Sequence, residues 1–211
     1  KLKKGLSLPI TGAPLQEITA APEVESVGIV ASDFEGLKPT LLVKVGDRVQ
    51  LGQPVFQDKK NPGVNFTAPA SGLIEQINRG AKRKFESLVI RVDGNDEKTF
   101  ATSAAGKSVS AKEHVVDTLV ESGLWTAFRT RPYGKVPRVR SEPAAIFVTA
   151  IDTDPLAPSA KFLIQEKEEA FVEGLLSLAM ISDNVHVCVA NESDVRVLDH
   201  PHIKYHVFNG P

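Results

Sequence analysis

Six side chains between positions 125 and 135 raise the first chemical question: Trp125, Phe128, Arg129, Arg131, Tyr133 and Lys135. The chain holds ten Phe, two Tyr and one Trp, so three aromatics in one short stretch are a concentration. Flat rings beside guanidinium groups suit a ring-shaped ligand such as a quinone. They equally suit docking to another subunit, because Trp, Tyr and Arg are the residue types that dominate interface energy. Packing of the loop on its own sheet is the third reading. The same residues argue against a nucleotide or flavin phosphate. A phosphate needs close approach of backbone amides, usually through glycines at a helix N-terminus. No Gly-x-Gly-x-x-Gly occurs, and Trp125, Phe128 and Arg129 are bulky where glycines would be required.

Other groups carry weaker signals. Asn78-Arg79-Gly80-Ala81-Lys82-Arg83-Lys84 is a basic turn between two strands, with Arg79, Lys82 and Arg83 available to an acidic partner or an anionic lipid. Asp152-Thr153-Asp154-Pro155 follows a strand, where carboxylates either face a ligand or play a structural part, capping the next helix or ending the strand; the structural part is the favoured reading. His200, His202, His206 and His186 do not form the helical i, i+4 pairing of a metal site, since the four-residue step from His202 to His206 runs into an expected strand, so no metal is expected and surface histidines are. The single cysteine, Cys188, cannot form an internal disulfide, which fits a reducing compartment. No nucleic-acid role is expected, since the net charge is −1 and no aromatic stacking face is evident. The charge is nevertheless divided. Residues 1–140 hold 21 Lys+Arg against 15 Asp+Glu, and residues 141–211 hold 4 against 11.

These groups must be positioned by two kinds of element. Residues 37–92 read as short strands punctuated by glycine: 41–45, 55–57, 64–68, 73–77 and 88–92, with turns at Gly46-Asp47, Gly52 and Asn61-Pro62-Gly63. An earlier strand, 26–30, lies in an irregular leader. From residue 100 the period changes. Ser110-Ala111-Lys112-Glu113 fits a capping box, a helix follows, and Gly123 should stop it. Residues 144–151, 185–190 and 203–208 read as buried parallel strands, and 162–180 as one helix with acidic and apolar sides. No apolar run approaches the ~20 residues of a membrane helix, and the basic start has no apolar stretch of a signal peptide behind it. The chain lacks an initiator Met and stops just after a strand, so a fragment of a longer protein is expected.

The strand pattern resembles the biotinyl/lipoyl family, whose modified lysine sits at a hairpin tip. Lys59 or Lys60, in Asp58-Lys59-Lys60-Asn61-Pro62-Gly63, stands near that place, although the lysines precede the turn.

Longer runs resemble a more specific family. Lys3-Lys4-Gly5-Leu6-Ser7-Leu8-Pro9-Ile10-Thr11-Gly12, Asp58-Lys59-Lys60-Asn61-Pro62-Gly63-Val64, Phe66-Thr67-Ala68-Pro69-Ala70-Ser71-Gly72 and Ile77-Asn78-Arg79-Gly80-Ala81-Lys82-Arg83 are similar to the A subunit of the bacterial sodium-translocating NADH:quinone oxidoreductase, in its N-terminal part. The resemblance implies an α+β or α/β chain in three stretches. A leader spans 1–36, a barrel-sandwich hybrid 37–100, and an incomplete Rossmann-like domain like that of the complex I flavin subunit spans 101–211. It implies a peripheral subunit on the cytoplasmic face of the bacterial inner membrane, associated with quinone reduction and assembly, whose partners are the other subunits. Flavins and iron–sulfur centres would reside on those partners. This chain would carry no cofactor and no catalytic residue, and would be inactive in isolation. Complex I relatives follow Ser-Gly-Leu with a glycine-rich flavin loop. Here Ser122-Gly123-Leu124 is followed by Trp125, Phe128 and Arg129, so the flavin loop is degenerate. Two alternatives stand beside this reading: a lipoyl- or biotin-carrying protein, and the C-type subunit of a related ion-pumping electron-transfer complex.

Overall fold

Alternating Val and Phe positions between glycine turns produce two facing antiparallel sheets in the computed structural model, which describes residues 10–100, 111–154, 156–191 and 194–208. The strands are β1 (Ser26–Val30), β2 (Pro39–Leu41), β3 (Arg48–Val49), β4 (Pro54–Asp58), β5 (Asn65–Thr67), β6 (Gly72–Arg79) and β7 (Phe85–Val92). One sheet runs β1-β7-β6-β3 and the other β2-β4-β5. The expected strand over 41–45 ends early, at Leu41. Leu42 and Val45 are half-exposed or more, and of 42–45 only Val43 is partly covered, so little apolar contact holds that stretch extended. The leader strand β1 is hydrogen-bonded along β7, with Gly28 opposite Val89.

The core between the sheets is fully apolar. Val49, Val55, Phe56, Val64, Ile74, Leu88 and Ile90 are each at most 1% exposed. Phe56 stacks on Phe66 at 4.6 Å between centroids and meets Phe85 of the opposite sheet at 5.3 Å. Such ring pairs add to their area burial when offset or edge-on. An exposed pair, Arg48 Nη1 to Asp93 Oδ2 at 2.8 Å, staples β3 to the end of β7. The Arg48 hydrogen bond holds the Asp93 carboxyl below its ordinary range.

Residues 21–141 cluster as one unit, and residues 1–20 with 142–211 as a second. These limits fall elsewhere than the 36/37 and 100/101 boundaries read from the sequence. Helix α1 (Ala111–Glu121) therefore belongs with the sandwich, and it ends at Gly123, whose φ of 81° is the left-handed turn a glycine adopts without a Cβ penalty. The expected capping residue Ser110 lies outside the described residues, as do residues 3–9 of the first quoted family motif.

The second unit is built on β8 (Ile146–Ala150), β9 (Val185–Val189) and β10 (Ile203–Val207), parallel in the order β10-β9-β8. Val185, Val187 and Val189 are fully buried against Leu175 and Ala179 of the covering helix. Cys188 is buried here, and burial pushes its thiol up from the ordinary range. Two expectations are corrected. The outer strands are not buried throughout: β8 alternates, with Phe147 65% exposed, and only Ile203 of β10 is buried. They flank the central strand, and the covering helix packs on one face of the sheet. Nor is 162–180 one helix. It breaks at Lys167 (φ −135°) into α2 (Ala160–Gln165) and α3 (Glu168–Ile181), the covering helix. Continuing the apolar stripe from Ile164 to Phe171 would turn Lys167 or Glu168 inward, and burying an unpaired charge costs more than a break.

Candidate functional site

The aromatic-basic segment folds back onto the sandwich. After α1, a 3-10 turn over Leu124–Ala127 aims the Trp125 ring inward, where it is 3% exposed. Its indole Nε1 donates to the Pro137 carbonyl at 2.9 Å, and Phe128 packs edge-on against it at 5.2 Å. Asn61 of the Asn-Pro-Gly hairpin reaches the same place. Its side-chain nitrogen donates to the Val136 and Pro137 carbonyls at 3.3 and 2.8 Å. Thr67 Oγ1 donates to the Ser122 carbonyl at 3.0 Å. Three buried or half-buried polar side chains thus satisfy backbone carbonyls of the segment, as burial requires.

Arg129 sits at the surface end of this packing. Its guanidinium lies 5.0 Å over the Phe34 ring, and its Nη2 donates to the Asp33 carbonyl at 3.3 Å. Nη1 donates to the Thr126 and Phe128 carbonyls. Phe34 in turn meets Phe66 edge-on at 4.8 Å. A file of rings therefore runs from Arg129 through Phe34, Phe66 and Phe56 into the core. Beside it, Lys60 Nζ donates to the Gly36 carbonyl at 3.1 Å. Beyond Arg129 the chain forms a tight loop, in which Thr130 bonds Lys135 through both its amide and its hydroxyl. Tyr133 lies at its tip, 74% exposed, with Lys135 Nζ 5.9 Å over its ring.

The structure sorts the residues named from the sequence. Arg129 lies over Phe34, and Phe128, next to it in the chain, packs on Trp125. Arg131 and Tyr133 are exposed on the adjoining loop. Trp125 presents no ring to a ligand: its size and its one donor make it the anchor of the segment rather than a contact residue. Arg79, Lys82 and Arg83 lie on the separate β6–β7 hairpin, exposed. Sequence reasoning missed Phe34 and Asn61. Phe34 lacked any pattern, while the buried role of Asn61 was hidden by a turn signal that Asn-Pro-Gly also satisfies.

Backbone amides of this segment are already engaged at three positions. The amide of Thr126 bonds the Gly123 carbonyl, that of Phe128 bonds the Trp125 carbonyl, and that of Leu124 faces Ser122 Oγ. A Cβ at Gly123 would run into the Thr67 side chain, so the turn is pressed against β5. Elsewhere, Asp152 accepts from the Asp154 amide at 3.0 Å, a local turn. His186 Nδ1 and His206 Nε2 lie 2.8 Å apart, and Phe147 stacks on His186. Among the described residues no group of three or more His, Cys, Asp or Glu could hold a metal ion.

Comparison with known proteins covers both units. Residues 1–93 match the family described as NqrA N-terminal barrel-sandwich hybrid domain, and residues 110–211 the NqrA second alpha/beta domain. The chain is 48% identical over 215 residues to the A subunit of the Na(+)-translocating NADH-quinone reductase of Rhodopirellula baltica, covering 100% of this chain and 47% of that protein. It is 51% identical to the protein of the same name from Marinomonas sp., over 92% of this chain and 44% of that protein. The Vibrio campbellii protein, again of that name, is 47% identical over 100% of this chain and 47% of its own length. The chain spans somewhat under half the length of these relatives.

Proposed function

We infer the function from one premise: the chain belongs to the NqrA family, carrying its N-terminal barrel-sandwich hybrid domain followed by its second alpha/beta domain. We propose that it is the N-terminal part of the A subunit of a sodium-pumping NADH:quinone reductase. The observation that carries this reading is the pair of consecutive NqrA domain matches, which together take in both the sandwich and the parallel sheet. In this reading the chain is peripheral, lies on the cytoplasmic face of the membrane, and joins the other subunits, on which the flavins and iron–sulfur centres reside. No helix among the described residues is long and apolar enough to cross a membrane.

The role proposed for this chain is contact with quinone rather than hydride transfer. Arg129 stacked on Phe34 offers a flat apolar face and a cationic donor, the two features a quinone ring and its carbonyls need. Phe128, Arg131 and Tyr133 extend that surface. The chemistry asked of these residues is orientation and stabilisation of partial negative charge on a quinone oxygen. Pinning by Thr126, Phe128 and Asp33 carbonyls pre-orders the guanidinium, which lowers the cost of ordering it on binding. The carrier reading fits less well. Lys60 is tied to the Gly36 carbonyl and the hairpin is anchored through Asn61, whereas a swinging arm needs a free tip. The C-type reading loses ground for a different reason: the three relatives compared above are each named as the A subunit.

Two measurements test this. In the full reductase, Arg129→Ala combined with Phe34→Ala is expected to weaken quinone affinity about tenfold, the loss of a cation–π contact and a charged hydrogen bond. An unchanged affinity would place the quinone elsewhere. Mixed with NADH and a soluble quinone, this chain alone is expected to give no turnover. Steady NADH oxidation by the purified chain would show a redox centre on it.

A further inference from the structure

The β6–β7 hairpin ends in an unusual turn. Arg79, Lys82, Arg83 and Lys84 are all exposed there. Lys82 and Arg83 stand consecutively in the left-handed region, with φ of 53° and 61°, a conformation that side chains of L-residues disfavour and glycine does not. The turn is held in that shape. The Gly80 amide donates to the Lys84 carbonyl at 2.8 Å, the Arg83 amide to the Gly80 carbonyl at 3.1 Å, and Arg79 Nη1 to the Arg83 carbonyl at 3.3 Å. One carboxylate is near: Glu86 folds across Gly80. No ion pair joins it to the four cations among the described residues.

Backbone strain maintained at a site of unneutralised charge points to function. Building on the functional reading above, we propose that this basic tip docks onto an acidic surface of another protein of the complex. The occupant follows from chemistry. Cations carried on a hydrogen-bonded turn match carboxylates on a partner surface, and a backbone already ordered reduces what binding must immobilise. An anionic bilayer fits less well. The turn carries no apolar anchor, since Ala81 is small and Phe85 is buried at 5% exposure, and a few cations without an anchor hold membranes weakly.

The test uses the full-length protein in its complex, with Lys82→Gly and Arg83→Gly together. This variant removes two charges and places glycine at the two left-handed positions, and its melting temperature reports whether the fold is kept. Retention of the protein on the purified complex is followed against NaCl, beside its melting temperature. The variant is expected to bind about tenfold more weakly at moderate salt, to dissociate at lower NaCl, and to melt at the same or a higher temperature. Lys82→Arg with Arg83→Lys keeps both charges and should behave as the native protein. Equal retention of the glycine variant and the native protein would overturn the proposal. So would native binding to phosphatidylglycerol vesicles that the glycine variant loses, if retention on the complex is unchanged; that result would assign the tip to lipid. A native protein that never co-purifies with a reductase would instead refute the functional reading, and this proposal with it.

Discussion

Gly72→Ala is expected to be the most damaging single methyl in the sandwich unit. Gly72 opens β6, paired with Val49 on one side and Val92 on the other. A Cβ there would overlap the carbonyl of Arg91 and crowd the amide of Asp93, both backbone. Side chains can rotate away from such a clash, but two paired strands cannot without losing their ladder. The expected cost is about 3 kcal/mol or more. With a urea slope of roughly 1.5 kcal/mol per molar, the midpoint should fall by about 2 M. The measurement has a natural probe: Trp125, the only tryptophan, is buried in the same unit, so its emission reports that unit's unfolding. Gly46→Ala is the control. Gly46 has φ of 90° and open space around it, so its alanine should cost only about 1 kcal/mol of backbone strain. Equal midpoints for the two variants would mean that the close approach at Gly72 is relieved in solution.

Trp125→Ala should have an effect of comparable size, and on stability before binding. The ring fills the space between the 3-10 turn and the 136–137 stretch, and removing it leaves a cavity as well as a Pro137 carbonyl short of one donor. Large aromatic-to-alanine changes in such sites cost about 3–5 kcal/mol. Far-UV circular dichroism in a urea titration reads it without the lost fluorophore. Trp125→Phe keeps most of the volume and loses the donor, so about 1 kcal/mol is expected beyond the packing change. If Trp125→Ala left stability unchanged while weakening quinone binding, the ring would be a contact residue after all. The distinction matters for any mutational survey of the 125–135 segment. Arg129 is exposed and can be changed with modest structural cost, whereas Trp125 cannot.

Much of the architecture was legible because it rests on local rules. Glycines at 46, 52 and 63 mark turns, each with positive φ. Alternating Val and Phe positions mark half-buried strands, and Gly123 marks the end of α1. The helix break at Lys167 was less visible. It carries no Pro or Gly, and only the inward direction of the stripe from Ile164 to Phe171 reveals that a charge would have to be buried there.

By itself, then, the order of residues determined the element types, the turn positions, the family and the aromatic-basic cluster as a place to look. Tertiary structure decided which members of that cluster face outward. Asn61 meets carbonyls 75 and 76 positions away, and Arg129 meets the Asp33 carbonyl 96 positions back. Turn and period rules act over a few residues, where sterics and hydrogen bonding are set by neighbours in the chain. Whether a ring becomes an anchor or a binding face depends on what distant backbone it meets, and that is resolved only when the sheets close around it.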